Sequence, residues 1–206
     1  MATKSDEIWF ENTFAGQKTR IVQLPGELGG RQFVLEYVNR PFGGENAVPK
    51  HVHMVYDETF EILKGRAKYQ LGNETQTAAA GDRVVMPARV PHKHPWSDSA
   101  EELHVRQIAT SDPADLRGLN NSLQAAITLQ GLARAGRLNA RGLPSLLQLA
   151  VLIESTMPAT YLDGPPIALQ KALFGGLGLL GRLLGYRTAS PVRHDHRARP
   201  GDASMM

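Results

Sequence analysis

The chain has 206 residues, room for one domain of about a hundred residues and a substantial extension. It contains no cysteine, which excludes disulfides, thiolate metal ligation and thiol nucleophiles. Its formal charge of +3 argues against nucleic acid as a partner: residues 1–111 carry 13 Lys/Arg against 14 Asp/Glu, and residues 112–206 carry 10 against 6. The opening MATKSDEIWF lacks the apolar stretch of a secretory signal, and the longest apolar segment, 167–186, is interrupted by Lys171 and Arg182. A cytoplasmic protein with no membrane span is expected.

Up to about residue 111 the pattern is that of a β protein. Short alternating segments at 19–23, 32–38, 60–63, 67–71, 83–86 and 102–108 are separated by Gly, Pro and Asn clusters. Many short strands with turn signals between them point to a β-sandwich or barrel. Within this region HVHMVYDETFEILKG (51–65) and GDRVVMPARVPH (81–92) stand out. His51 and His53 share one face of a strand, because successive side chains alternate. Glu58 has the wrong parity to continue that face, so the chain must turn or bulge within 54–57 before a new strand carries Glu58, Phe60 and Ile62 on one side. His92 follows Pro87 after the chain re-enters the sheet. Three imidazoles and one carboxylate on adjacent strands suit a single divalent first-row metal ion, with His51, His53, Glu58 and His92 as ligands.

His94 lies two residues beyond His92. It either points into the same cavity as an acid/base or orienting group, which makes it the candidate catalytic residue, or sits at the rim held by Pro95. Glu61 is out of phase with Glu58 and should face away. Phe60, Ile62, Tyr69 and Met86 are candidate walls of the cavity as well as ordinary core residues. A second His-x-His, His194 and His196, falls in a polar tail without strand pattern and is expected to be exposed.

These two stretches resemble the paired motifs of the cupin superfamily, G-x5-H-x-H-x(3,4)-E-x6-G and G-x5-P-x-G-x2-H-x3-N. From His51 to Gly65 the first motif is matched completely, although its leading glycine would fall at Glu45, just after Gly43 and Gly44. In the second, Gly81, Pro87 and His92 fit, while Arg89 replaces the inner glycine and Trp96 the final asparagine. The resemblance covers roughly residues 8–110 and implies a mainly β fold, a cupin-type double-stranded β-helix or jelly roll. It also implies one divalent metal ion per chain, Fe(II) favoured and Zn, Mn or Ni possible. The expected function is action on a small-molecule substrate, foremost as a non-haem Fe(II) dioxygenase. A metal-dependent isomerase, cyclase or lyase and a non-catalytic binding cupin are the alternatives. Cupins commonly bury a sheet edge against a second copy, so a homodimer is expected.

From residue 112 the periodicity changes, and 112–186 reads as a helical C-terminal extension packed on the barrel or a second subunit. Leu116, Leu119, Leu123 and Ile127 mark one helix that ends around Gly136 to Gly142, and residues 146–153 form a second, apolar nearly all round. Pro165 and Pro166 open a third, with a stripe of Leu169, Leu173, Leu177, Leu180 and Leu184. Gly175, Gly176, Gly178 and Gly181 weaken this helix by about 1 kcal/mol each relative to alanine, a cost usually offset by close packing. Such an extension is expected to cap the open sheet. Residues 187–206 read as a disordered basic tail.

Overall fold

The computed structural model describes residues 9–25, 27, 31–111, 116–140 and 142–188. Two antiparallel sheets face each other. The first has the order β1 (Trp9–Asn12), β2 (Gln17–Gln23), β3 (Gln32–Asn39), β10 (Leu103–Ser111), β5 (Tyr56–Lys64) and β8 (Arg83–Met86). The second runs β11 (Thr160–Leu162), β4 (His51–His53), β9 (His92–Ser97), β6 (Arg66–Leu71) and β7 (Glu74–Ala79). Three helices follow the barrel strands: α1 (Leu116–Arg134), α2 (Leu146–Thr156) and α3 (Ile167–Leu183). This is the expected jelly roll with a helical C-terminal extension.

Alternation builds the barrel core. Phe60, Ile62, Val84, Met86, Leu103 and Val105 point inward from the first sheet and meet Ala67, Tyr69 and Ala78 from the second. A second apolar cluster lies under α1, where Leu119, Leu123 and Ile127 pack on Phe33, Leu35, Tyr56 and Ala109. The turn at Gly65 is one that only glycine fits. Its φ is +85°, and a Cβ there would stand 2.4 Å from the Glu102 carbonyl oxygen.

Several features depart from the sequence pattern. β7, built of Glu, Thr, Gln and Ala and largely exposed, carries too little hydrophobic contrast to be read as a strand. β11 is a three-residue strand between two helices, and it pairs with β4 to cover what would otherwise be the edge of the second sheet. The third helix lies mainly on α2, with the Cβ positions of Gly178 and Gly181 facing Glu154 and Val151, and meets the second sheet at β11 through Gln170. Its expected leucine stripe faces outward instead: Leu169, Leu173, Leu180 and Leu184 are exposed, and the buried positions are Gln170, Gly178 and Gly181. The tail from 189 on, with His194 and His196, lies outside the described residues.

On the outer face of the first sheet, Glu36 ties three strands together. Its carboxylate accepts from Arg20 (Nε 2.9 Å, Nη2 2.5 Å) on β2 and from Arg106 (Nε 3.0 Å, Nη2 2.8 Å) on β10. Burial by itself would raise the Glu36 carboxyl, but the hydrogen bonds and charges of the two arginines win and hold it below its ordinary value. A carboxyl depressed in the folded state contributes stability above its unfolded value, and that contribution is lost as pH falls through the folded one. Glu36→Gln should therefore cost about 1–3 kcal/mol near neutral pH. In denaturant titrations the difference from the parent should shrink as pH drops below 4.5, the ordinary value of the group.

Candidate metal centre

Strand pairing assembles the candidate residues. His51 and His53 lie on β4, His51 is directly opposite His92 on β9, and the chain crosses to the other sheet at Met54–Val55 before Glu58 appears on β5. The expected turn between His53 and Glu58 is thus a change of sheet. It lets two histidines and a carboxylate of opposite parity face one interior point. His51, His53, Glu58 and His92 are all buried, with His92 fully so. Glu61 points out of the barrel toward Arg106, 3.6 Å away.

The distances among donor atoms are short and mutual. His51 Nε2 lies 3.0 Å from His53 Nε2, and Glu58 Oε2 lies 3.2 Å from His92 Nε2 and 3.3 Å from His53 Nε2. His94 Nε2 joins them at 2.8 Å from Glu58 Oε2, and one donor atom from each of the five residues lies within 4.8 Å of every other. Ligands about 2.1 Å from an octahedral ion are separated by about 3.0 Å along each edge, so this spacing fits one first-row cation.

The hydrogen-bond network assigns the tautomers and sharpens the fit. His51 donates from Nδ1 to the Pro49 carbonyl (2.8 Å), and His92 from Nδ1 to the Val90 carbonyl (2.9 Å). His53 uses Nδ1 against the Thr160 hydroxyl (2.8 Å). Burial, reinforced by the neighbouring imidazoles, pushes His51 well below the usual histidine range; burial also lowers His53, against the attraction of Glu58. Both rings are then neutral at pH 7, and His51, whose Nδ1 carries the proton, presents the bare lone pair of its Nε2 to the site. His94 Nε2 is likewise buried without a well-directed hydrogen bond, despite its proximity to Glu58. Burial alone would raise the Glu58 carboxyl, but the surrounding imidazoles, His94 and His53 foremost, hold it well below the usual carboxylate range. Its other oxygen accepts from Gln107 Nε2 at 2.7 Å. Converging acceptors of this kind repel one another unless a cation sits between them, and the donor set fits a divalent ion.

His94, which the sequence left between cavity and rim, faces the site. Its side chain is 15% exposed, against 0–4% for His92, Glu58 and His53, so it stands between the donor set and solvent. The Phe60 ring lies 4.8 Å from its own. Ile62, Tyr69 and Met86 belong to the barrel core. Arg89, where the cupin motif has glycine, keeps the left-handed backbone of that position (φ +66°), and its N–H donates to the His53 carbonyl at 2.6 Å. Nothing in the sequence marks Gln107, Thr160, Tyr56 or Ser122 as belonging here. Only the β10 alternation hints at Gln107, a polar residue in a buried phase.

The two-sheet β-sandwich thus encloses a buried histidine–carboxylate cluster that could hold one metal ion. Residues 43–108, about a third of the chain, match the family model described as the cupin domain, and this segment is a cupin domain. No curated protein sequence matches it significantly. Among solved structures, the chain is similar to the TT1209 protein of Thermus thermophilus (24% identity, 45% of this chain and 85% of that one, TM-score 0.37). It is also similar to a putative sugar phosphate isomerase of Acidithiobacillus ferrooxidans (19%, 53% and 70%, TM-score 0.41) and to KdgF of Halomonas sp. (14%, 55% and 95%, TM-score 0.41).

Joint replacement of His51 and His92 by alanine should abolish stoichiometric metal binding while the far-ultraviolet circular dichroism stays that of the parent, because the core beneath is apolar. Metal retained by the double variant, measured by elemental analysis, would rule out this centre.

Proposed function

We propose that the protein is a metal-dependent enzyme acting on a small organic substrate, with His51, His53, Glu58 and His92 as ligands of one divalent ion and His94 as the proton-transferring group. The position of His94 carries this reading: its Nε2 lies 2.8 Å from Glu58 Oε2, yet the side chain reaches solvent. A first-row ion supplies Lewis-acid polarisation of a substrate oxygen and, as Fe(II), access to dioxygen chemistry. The chain's own residues do the rest. His94 accepts or returns the proton of a substrate hydroxyl or of a carbon beside a carbonyl. Phe60 packs beside its ring, and Gln107 donates to the Glu58 carboxylate from behind.

A non-haem Fe(II) dioxygenase for an oxygen-chelating compound is the first reading, because four protein ligands leave two of six octahedral positions. One observation favours a second reading, an isomerase, cyclase or lyase using Zn, Mn or Ni. With His94 included, five donors converge within 4.8 Å, and five protein donors leave a single position, suited to polarising one carbonyl oxygen. Protein reconstituted anaerobically with Fe(II) should take up oxygen with diols, diketones or flavonols. His94→Gln should keep its iron and lose about 10²–10⁴-fold in turnover. Inert iron protein, together with Zn or Mn protein that exchanges solvent deuterium into a carbonyl substrate, selects the second reading. Ligand binding without turnover in every metal form would make it a binding cupin.

The reading includes assembly as a cytoplasmic homodimer. Among the described residues, no helix is long and apolar enough to cross a membrane. On α3 the exposed Leu169, Leu173, Leu180 and Leu183 and the uncovered Gly176 follow an alternating spacing of four and three, the seam of a helix pair. The charged side chains of this helix are engaged elsewhere, Lys171 over the Tyr161 ring and Arg182 with Glu154. A second copy of the helix, antiparallel, covers such a seam. Light scattering at micromolar concentration should give twice the 22.5 kDa chain mass, and Leu173→Glu with Leu180→Glu should return it to that mass.

A further inference from the structure

Of the three histidines proposed as ligands, two are oriented from within their own loops, His51 by Pro49 and His92 by Val90, each two residues away. His53 is not. Its Nδ1 meets the hydroxyl of Thr160, 107 residues later in the chain. Thr160 lies directly across the β4–β11 ladder from His53, so its place is set by backbone pairing. The contact continues into α1. Tyr56 Oη lies 3.2 Å from Thr160 Oγ1 and donates to Ser122 Oγ at 2.9 Å, and the Tyr56 ring stacks on His53 with centroids 4.0 Å apart. With His53 ligating through Nε2, its Nδ1–H donates to the Thr160 hydroxyl, Thr160 to the Tyr56 hydroxyl and Tyr56 to Ser122.

The strand that carries Thr160 is held on both sides. Toward β4, the Met54 N–H donates to the Ala159 carbonyl (2.7 Å), the Asp163 N–H donates to the Lys50 carbonyl (3.0 Å), and Lys50 pairs with Asp163 at 2.9 Å. Toward α3, the buried Gln170 closes a two-way clamp on Leu162, accepting its N–H at 3.0 Å and donating to its carbonyl at 2.9 Å, with a further bond to the Pro165 carbonyl at 2.7 Å. Ala159 itself packs in the cluster formed by Leu119, Leu123 and Tyr56. So many fixed points for a three-residue strand exceed what covering a sheet edge requires.

We infer that the C-terminal extension is a working part of the metal centre: Thr160, on β11, is a positioning residue that fixes the ring and tautomer of His53, backed by Tyr56 and by Ser122 of α1. This rests on the metal-centre reading and deepens it. A histidine ligand whose second nitrogen is held presents its lone pair at a set angle and is a stronger donor, and loss of such a partner typically weakens metal binding 10- to 100-fold. Because the partner comes from the extension, metal binding and docking of β11 favour each other, and each must strengthen the other by the same factor.

Competition between the full-length protein and a chromophoric chelator for Co(II) tests the assignment. Thr160→Val keeps the β-branched shape and the strand pairing but removes the hydroxyl, whereas Thr160→Ser keeps the hydroxyl. The Val variant should bind Co(II) about 10–100-fold more weakly with altered visible absorption of the bound ion, and the Ser variant should stay within about threefold of the parent. Tyr56→Phe, which keeps the stack on His53, should show a smaller loss. On addition of Co(II), amide exchange at 160–162 should slow in the parent and not in the Val variant. Parent protein that binds no Co(II) overturns the metal-centre reading, and this inference with it. A parent that binds, with a Val variant that binds equally well or a Ser variant as weak as Val, overturns this inference alone.

Discussion

The architecture turns on electrostatic crowding: imidazole nitrogens and a carboxylate oxygen are held about 3 Å apart among buried side chains. His51 Nε2, an acceptor because its Nδ1 donates to the Pro49 carbonyl, faces His53 Nε2 at 3.0 Å, and a cation held by both Nε2 atoms requires both to be unprotonated. In water such a contact would separate. Here it cannot, because each ring is anchored on rigid backbone: His51 and His53 on the same face of β4, His92 opposite His51 on β9, and Glu58 on the facing sheet with its second oxygen held by Gln107. The sandwich supplies the stiffness and the apolar core beneath it supplies the low dielectric, which makes the repulsion strong and the attraction for a divalent ion correspondingly large.

Much of this was legible because strand alternation is a local rule. The spacing of His51, His53, Glu58 and His92 demanded a change of direction between 53 and 58, and the chain there passes from one sheet to the other. The β strands with strong alternation were visible for the same reason, and β7 was not, because its Thr, Gln and Ala residues line an outer strand with little to bury. His94 could not be decided from parity alone: an inward phase at the end of a strand is compatible with either cavity or rim. Thr160 was invisible in principle. Its role depends on a pairing between residues more than a hundred apart, and a Thr-Tyr-Leu triplet between helices carries no signal of a strand.

The extension illustrates how one periodicity can have two partners. A leucine stripe on an amphipathic helix usually marks its buried side, and α3 reverses that because its other side meets α2 through glycine. A Cβ at Gly181 would come within 2.7 Å of Val151, and at Gly178 within 3.1 Å of Glu154, so the helices approach too closely for leucine between them. The bulky residues are displaced to the outer face. Two of the four glycines that weaken the helix in isolation, Gly178 and Gly181, are the ones that bring α2 and α3 together, and Gln170 of α3 steadies β11 beside the candidate metal ligands.

Arg89 adds a second source of stored energy next to the first. A left-handed backbone costs a non-glycine residue about 1–2 kcal/mol, and this one sits in the loop that joins β8 to β9, tied to the His53 carbonyl through its own N–H. Beside it the Ala88 N–H donates to Asp57 at 2.7 Å, so the same loop also grips the start of β5. The strained residue therefore bridges the two segments that bear the donors, and relaxing it would let them drift apart. Repulsion among the donors pushes in that same direction. A bound cation opposes both, drawing the two segments together while the apolar core maintains the fold in its absence. Metal at this centre is thus expected to add to a stability that already exists, in contrast to small domains that fold only around their ion.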